Sequence, residues 1–383
     1  MAGFGFTEAQ EMFRREVRNF AQKELAPGAK ERAKLDHLPK EITKKAADVG
    51  LLGINIPEKY GGEPADYVSV GIASEELAKV DLALATRVTH GQVAFLWLQH
   101  SSEELRQEWI PQIVAGEKSL CYGGTEPDFG SDAAGTKTRA TKDGDSYIIS
   151  GEKTCISNGM QADISVVLAN ADPAAGARGL SCFLVPLDLP GVNRSHLPHS
   201  GFKPTTDASL IYDDVRIPAS YRLGEEGKGF SLIFREFNFT RVLLSLMPLG
   251  AAQTSLEEAM DYAKQRIAFG RPIAKFEGIS FKIAEHATLI EAARLLCYRT
   301  LYLRDQGLPH VKEAAMVKWF SPMVAFNAVH DAILIHGHIG YSEEHPLEQR
   351  LRDVMGFEYA DGTAEIMKII IARELMGREF QPY

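Results

Sequence analysis

The chain has little of what marks a secreted, zinc-bound or nucleic-acid-binding protein. Its four cysteines, Cys121, Cys155, Cys182 and Cys297, lie far apart and form no C-x-x-C pair. That argues against a disulfide framework or a zinc ribbon and leaves the thiols as small apolar groups. No apolar run approaches the ~20 residues of a membrane span, and the opening MAGFGFTEAQ lacks the charged-then-apolar order of a secretory leader. A cytoplasmic protein without membrane contact is expected. Basic residues number 42 against 51 acidic ones, a formal charge of -9, so the positive surface needed for general nucleic-acid binding is missing. No repeat, low-complexity tract or linker interrupts the sequence, and its parts are expected to pack as one unit.

What is present is a chain of 383 residues, 45% hydrophobic, long enough for two or three domains around an interior ligand site. Phe13, Val17, Phe20 and Leu25 recur at helical spacing before Pro27, and residues 65–82 place Val70, Ala73, Leu77 and Val80 on one face. Ser101-x-x-Glu104 reads as a capping box before Leu105 and Trp109, and Gly116 as that helix's end. Past residue 118 the period shortens. Short β-branched runs appear at Tyr147–Ile149, Ile164–Leu168, Cys182–Val185 and Leu210–Tyr212, with Lys142-Asp143-Gly144-Asp145 as a hairpin turn. From Gly229 long helical patterns return, through Ile233, Phe237, Leu244, Leu249 and Ala252, then Ile283, Ala287, Ile290 and Leu295. The expected class is α+β: an N-terminal helical domain over 1–117, a middle β domain of barrel or sandwich kind over 118–226, and a C-terminal helical domain over 227–383.

Five segments carry the chemistry. Tyr122-Gly-Gly124-Thr125-Glu-Pro-Asp-Phe-Gly130-Ser131-Asp132 is a turn-rich run whose free backbone N–H groups suit a carbonyl or phosphate. Downstream lies Gly151-Glu-Lys-Thr-Cys155-Ile156-Ser157-Asn158-Gly159. Arg266-Ile-Ala-Phe269-Gly270-Arg271-Pro272 offers a guanidinium fork for a pyrophosphate, although an Arg followed by Gly is also an ordinary helix ending. Leu334-Ile-His336-Gly337-His338-Ile-Gly340-Tyr341 holds two histidines but no evident third ligand, so no metal is expected. In Tyr359-Ala360-Asp361-Gly362-Thr363-Ala364-Glu365-Ile366 a carboxylate precedes a helix start, a place where Asp also serves as a cap or turn residue.

Taken together, these segments resemble the acyl-CoA dehydrogenase family over essentially the full length. The resemblance implies a C-terminal four-helix bundle and an FAD cofactor. Tyr122, Gly124, Thr125, Gly130, Ser131, Cys155, Ile156 and Ser157 would meet the flavin, and Ser131 would also touch the CoA chain. Arg266, Phe269 and Phe276 would reach the FAD of a neighbouring subunit, which implies a homotetramer built from dimer pairs. His336 and Gly337 would form the pyrophosphate loop, and Thr363 and Glu365 would complete the FAD contacts. Asn238 and Arg241 fall where relatives contact CoA. Asp361 would remove the α-proton while a β-hydride passes to flavin N5, the thioester being polarised by the main-chain N–H beside the base, at Gly362. An electron-transferring flavoprotein would accept the electrons.

Departures from the family pattern bear on the substrate. Asp361 stands where Glu is usual, Ala360 where a bulky aromatic is common, and Cys155 where Trp is common; Asn238, Glu277, Leu334 and His338 replace Asp, Gln, Gln and Gly. Thr240 occupies the alternative base position of some relatives and cannot act as a base. A shorter base and smaller neighbours imply a widened pocket, hence a branched or alicyclic acyl group such as cyclohexanecarboxyl-CoA. Arg87, on the helix lining the distal pocket, either pairs internally or reaches solvent, or meets the second carboxylate of a dicarboxylyl-CoA. An Asp at the base position also fits a nitroalkane oxidase of the same fold, and a non-catalytic flavoprotein binding module is the reading from a different class.

Overall fold

The computed structural model describes residues 5–380. The first layer comprises α1 (Glu8–Phe20), α2 (Ala29–Arg32), α3 (Lys40–Asp48), α4 (Tyr67–Ala78), α5 (Leu82–Leu98) and α6 (Glu103–Val114). Thr7 and Gln10 close a capping box at the start of α1, which continues as a π-helical turn over Ala21–Leu25. The apolar pattern over 65–82 is not one helix. α4 stops at Ala78, Val80 lies in the turn, and Asp81 caps α5 by accepting from Leu84 N at 3.0 Å. An Asp that offers the backbone this alternative bond starts a new helix more readily than it continues an old one. The α6 cap is Ser102, accepting from Leu105 N, and not Ser101, whose hydroxyl instead donates to the Leu98 carbonyl at the end of α5.

The middle layer holds β1 (Leu120–Gly123), β2 (Arg139–Asp143), β3 (Ser146–Ile156), β4 (Ile164–Asn170), β5 (Leu180–Pro186), β6 (Val192–His196), β7 (Ala208–Pro218) and β8 (Arg222–Leu223). They form one sheet in the order β6-β7-β3-β2-β4-β5-β8, with β1 parallel to β4. The β2–β3 hairpin pairs Asp143 with Ser146 across a two-residue turn that Gly144 enters at φ 59°. The β2–β4 ladder that joins the two halves of the sheet pairs Arg139 with Asn170. Tyr147, Ile149, Tyr212 and Val215 from one half and Val167, Phe183 and Val185 from the other share one buried core, so the sheet folds over on itself.

The last layer opens with α7 (Gly229–Gln265), followed by the short hairpin β9 (Ile267–Ala268) and β10 (Arg271–Pro272). Then come α8 (Glu277–Asp305), α9 (Val311–His336), α10 (His338–Tyr341), α11 (Leu347–Gly356) and α12 (Ala364–Met376). α7, α8, α9 and α12 make the bundle, with α9 touching each of the others. Along α8, Ile290 is fully buried but Leu295 is 43% exposed. Five residues turn a helix through about 500°, which carries Leu295 off the buried face. α4 and α5 add their apolar faces to the core of α7, including Leu77, Val88, Phe239 and Leu246. Among the described residues no helix is long and apolar enough to cross a membrane.

Candidate active site

Within the first half of α7, Phe239, Thr240 and Arg241 are buried, each at 5% exposure or less. Asp361 sits opposite, in the turn between α11 and α12. Its Oδ2 accepts from Thr240 Oγ1 at 2.5 Å, and its backbone carbonyl accepts from Arg241 Nε at 3.1 Å. A bond from hydroxyl to carboxylate contributes about 1.5–3 kcal/mol and fixes which way the carboxylate points. Lys318 Nζ, from α9, donates to the carbonyls of Phe357 at 2.7 Å and Gly362 at 3.3 Å. Asp361 has φ 53° and Gly362 φ 113°; a side chain at 362 would stand 2.6 Å from Met367 Cε. Left-handed geometry of this kind persists only where the surroundings dictate it. Thr363 then caps α12 by accepting from Ile366 N.

Two cations are thus withdrawn from water beside one acid. Burial lowers the Arg241 guanidinium to about 10 and the Lys318 ammonium to about 8, with Asp361 opposing the fall in both cases. Tyr122, in β1, packs 5.1 Å from Trp97 and 5.4 Å from Phe237, ring centre to ring centre. Burial first, then Cys182 and Asp361, push its phenol well above the usual range. Asn238 is buried and accepts from Arg241 Nη1 at 3.3 Å. The Gly362 N–H makes only a long bond, 3.3 Å to the Tyr359 carbonyl. A carboxylate oriented in this way, next to an aromatic wall, can take a proton from a carbon acid without first having to find its position.

The first two sequence segments meet where Thr154 N donates to the Thr125 carbonyl at 2.9 Å. Behind them Glu126 and Lys153 form a buried ion pair at 2.8 Å, and Glu126 also accepts from Lys137 N and Thr138 N. Burial works to raise the Glu126 carboxyl, but the Lys153 charge and these bonds hold it below its ordinary value. Ile156 is buried under the same edge, while Cys155, at φ 55°, and Ser157 are exposed. The hydroxyls of Thr125 and Ser131 have no hydrogen bond among the described residues, and Gly130 opens on free space. Gly124 lies buried against the Tyr122 ring. Free donors along a bare edge fit a flavin ring and its phosphate chain.

Other expected residues lie elsewhere. Arg266 follows Arg241 by roughly 25 residues on α7, about 37 Å at 1.5 Å per residue. There Phe269 is 95% exposed at the hairpin tip, 6.1 Å from Phe276, over which Arg271 sits at 4.2 Å. His336 is buried nearby, its ring stacked on Tyr262 at 4.4 Å and its Nδ1 bonded to the Ala332 carbonyl; Gly337, at φ 65°, ends α9. Glu365 is exposed on the first turn of α12. Arg87 has no hydrogen bond among the described residues and borders a small cavity with His90, Asn158, Gln161 and Thr205. Burial lowers its guanidinium to about 10, and burial followed by Arg87 lowers the His90 imidazole to about 4, leaving His90 neutral. A cleft of about 300 Å³ between the Ala29–Ala33 stretch, Asp81, Thr254 and Arg350 shares no residue with the Asp361 cluster.

Sequence reading missed Lys318, which has no local signature inside an apolar helix, and the donor role of Thr240. Only its position beside Arg241 singled out Thr240.

Three family descriptions match the chain: acyl-CoA dehydrogenase N-terminal domain over residues 7–117, middle domain over 121–215, and C-terminal domain over 227–376. An acyl-CoA dehydrogenase of Bacillus subtilis is 39% identical over 376 residues, 97% of this chain and 99% of that protein. The structure of butyryl-CoA dehydrogenase from Megasphaera elsdenii superposes with a TM-score of 0.94 at 33% identity, covering 98% of this chain and 100% of the other. A glutaryl-coenzyme A dehydrogenase solved with glutaryl-CoA superposes with a TM-score of 0.95 at 33% identity, covering 98% of each chain.

Proposed function

The chain belongs to the acyl-CoA dehydrogenase family, FAD-dependent oxidoreductases, and on that footing we propose that it dehydrogenates a branched or alicyclic acyl-CoA with Asp361 as the base. The observation that carries this reading is the Asp361 turn, whose carboxylate is aimed by Thr240 and whose backbone is gripped by Arg241 and Lys318. Thr125, Ser131, Cys155, Ile156 and Ser157 would hold FAD, which when bound would supply the acceptor for the β-hydride. The Gly362 N–H exchanges its long bond to Tyr359 for the thioester carbonyl, acidifying the α-carbon, and the Asp361 carboxylate takes the α-proton. Arg241 and Asn238 face the CoA portion. Arg266, Phe269 and Phe276, which lie at the far end of α7 and beyond it, serve in this reading the FAD of a neighbouring subunit in a homotetramer. An electron-transferring flavoprotein takes the electrons onward.

Support for a bulky acyl group comes from the short base, the small Ala360 and the exposed Cys155. Anaerobic mixing of the yellow enzyme with a panel of thioesters tests it. Cyclohexanecarboxyl-CoA is expected to bleach the flavin faster than butyryl-CoA or octanoyl-CoA. Equal or faster bleaching by the straight chains rejects the bulky substrate, and oxidation of a nitroalkane with peroxide release and no response to acyl-CoA rejects the thioester reaction itself.

A second reading rests on Arg87, a half-buried cation that makes no hydrogen bond among the described residues, beside a neutral His90. A second carboxylate on the acyl chain would supply a partner, as in a dicarboxylyl-CoA; one structural neighbour was solved with glutaryl-CoA. Arg87→Ala is expected to remove any preference for glutaryl-CoA over butyryl-CoA. An unchanged preference rules the reading out.

A further inference from the structure

We infer that Lys318 is a positioning residue of the reaction, a buried ammonium that fixes the Asp361–Gly362 turn and so sets the distance from carboxylate to α-carbon. The inference rests on Asp361 being the base. Lys318 is completely buried, on the helix that packs against both α7 and α12. It joins the two ends of the turn, donating to Phe357 and to Gly362. The turn's own backbone bonds are long, 3.3 Å from Ala360 N to the Gly356 carbonyl and 3.3 Å from Gly362 N to the Tyr359 carbonyl. The 2.7 Å bond from Lys318 is therefore the shortest that α7 or α9 makes to the backbone of this segment, Arg241 reaching the Asp361 carbonyl at 3.1 Å.

The charges facing Lys318 are Asp361 and Glu358, which favour its protonated form, and Arg241, which opposes it. None of the acids comes close enough for an ion pair, and both of its bonds go to backbone carbonyls. A buried ammonium without a counter-ion costs stability, and Met or Leu in the same space would cost less. What the ammonium supplies is geometry. An Asp lacks one methylene of Glu, so its reach depends on where the backbone is held, and an error of about 1 Å there lowers the rate roughly 10²-fold.

The test compares holoenzymes of wild type, Lys318→Met, Lys318→Gln and Asp361→Asn. The measurements are the saturated rate of anaerobic flavin bleaching, the acyl-CoA concentration for half-saturation, and amide hydrogen exchange of residues 357–363. Lys318→Met is expected to lose about 10²-fold in saturated rate with half-saturation and flavin content unchanged, and to exchange faster in that segment alone. Lys318→Gln, which keeps an N–H donor, recovers most of the rate. Wild-type rate and exchange in Lys318→Met overturn the inference, as does a loss shared with substrate and flavin binding, which is a fold effect. If Lys318→Met fails to fold, the same readings on Lys318→Ala, which removes the donor and leaves room for water, decide. Bleaching by Asp361→Asn at the wild-type rate would instead remove the base, whereas an inactive Asp361→Asn beside a wild-type Lys318→Met removes only the role of Lys318.

Discussion

The two ends of α7 are built on opposite plans. In its first half, Thr240 and Arg241 are buried, and with Lys318 of α9 they hold the Asp361 carboxylate and the carbonyls of Asp361 and Gly362. At its end, Arg266 just before the β9–β10 hairpin and Phe269 at the hairpin tip stand exposed. At the first end, strain in the turn can be stored because packing dictates it. The second leaves a cation and an aromatic exposed, which on the proposed function meet the FAD of a neighbouring subunit.

That contrast can be broken from either side. Gly362→Ala, which forces a side chain toward Met367 at φ 113°, is expected to lower the bleaching rate about 10²-fold with FAD still bound; wild-type kinetics would mean the turn is not dictated after all. Arg266→Ala should do the reverse, leaving the rate of fully loaded enzyme intact while weakening FAD binding by about 2 kcal/mol, roughly 30-fold, as read by flavin release on dilution. Thr240→Val keeps the shape and removes the hydroxyl, and a fall in rate of about tenfold is expected from losing one charge-assisted bond.

Most of the architecture was legible because it follows periodicity. The hairpin at Asp143–Ser146, the four strand runs and the long helices after Gly229 all stand where their patterns predict. The break at Asp81 was hidden because the apolar pattern runs unbroken across it, and only the side-chain bond to Leu84 N decides the boundary. In the site, Asp361 and Arg241 were legible through their motifs, whereas Lys318 was not: its partners are carbonyls some 40 residues away. Arg87 was legible as an oddity, and its lack of a hydrogen bond among the described residues emerged only from three-dimensional packing.

The most direct measurement is anaerobic bleaching of Asp361→Asn beside wild type, both loaded with FAD and saturated with cyclohexanecarboxyl-CoA. Loss of the base is expected to slow bleaching by about 10³-fold or more while acyl-CoA still binds. Bleaching of the variant at the wild-type rate would contradict the assignment of Asp361 and with it the reading of the whole site.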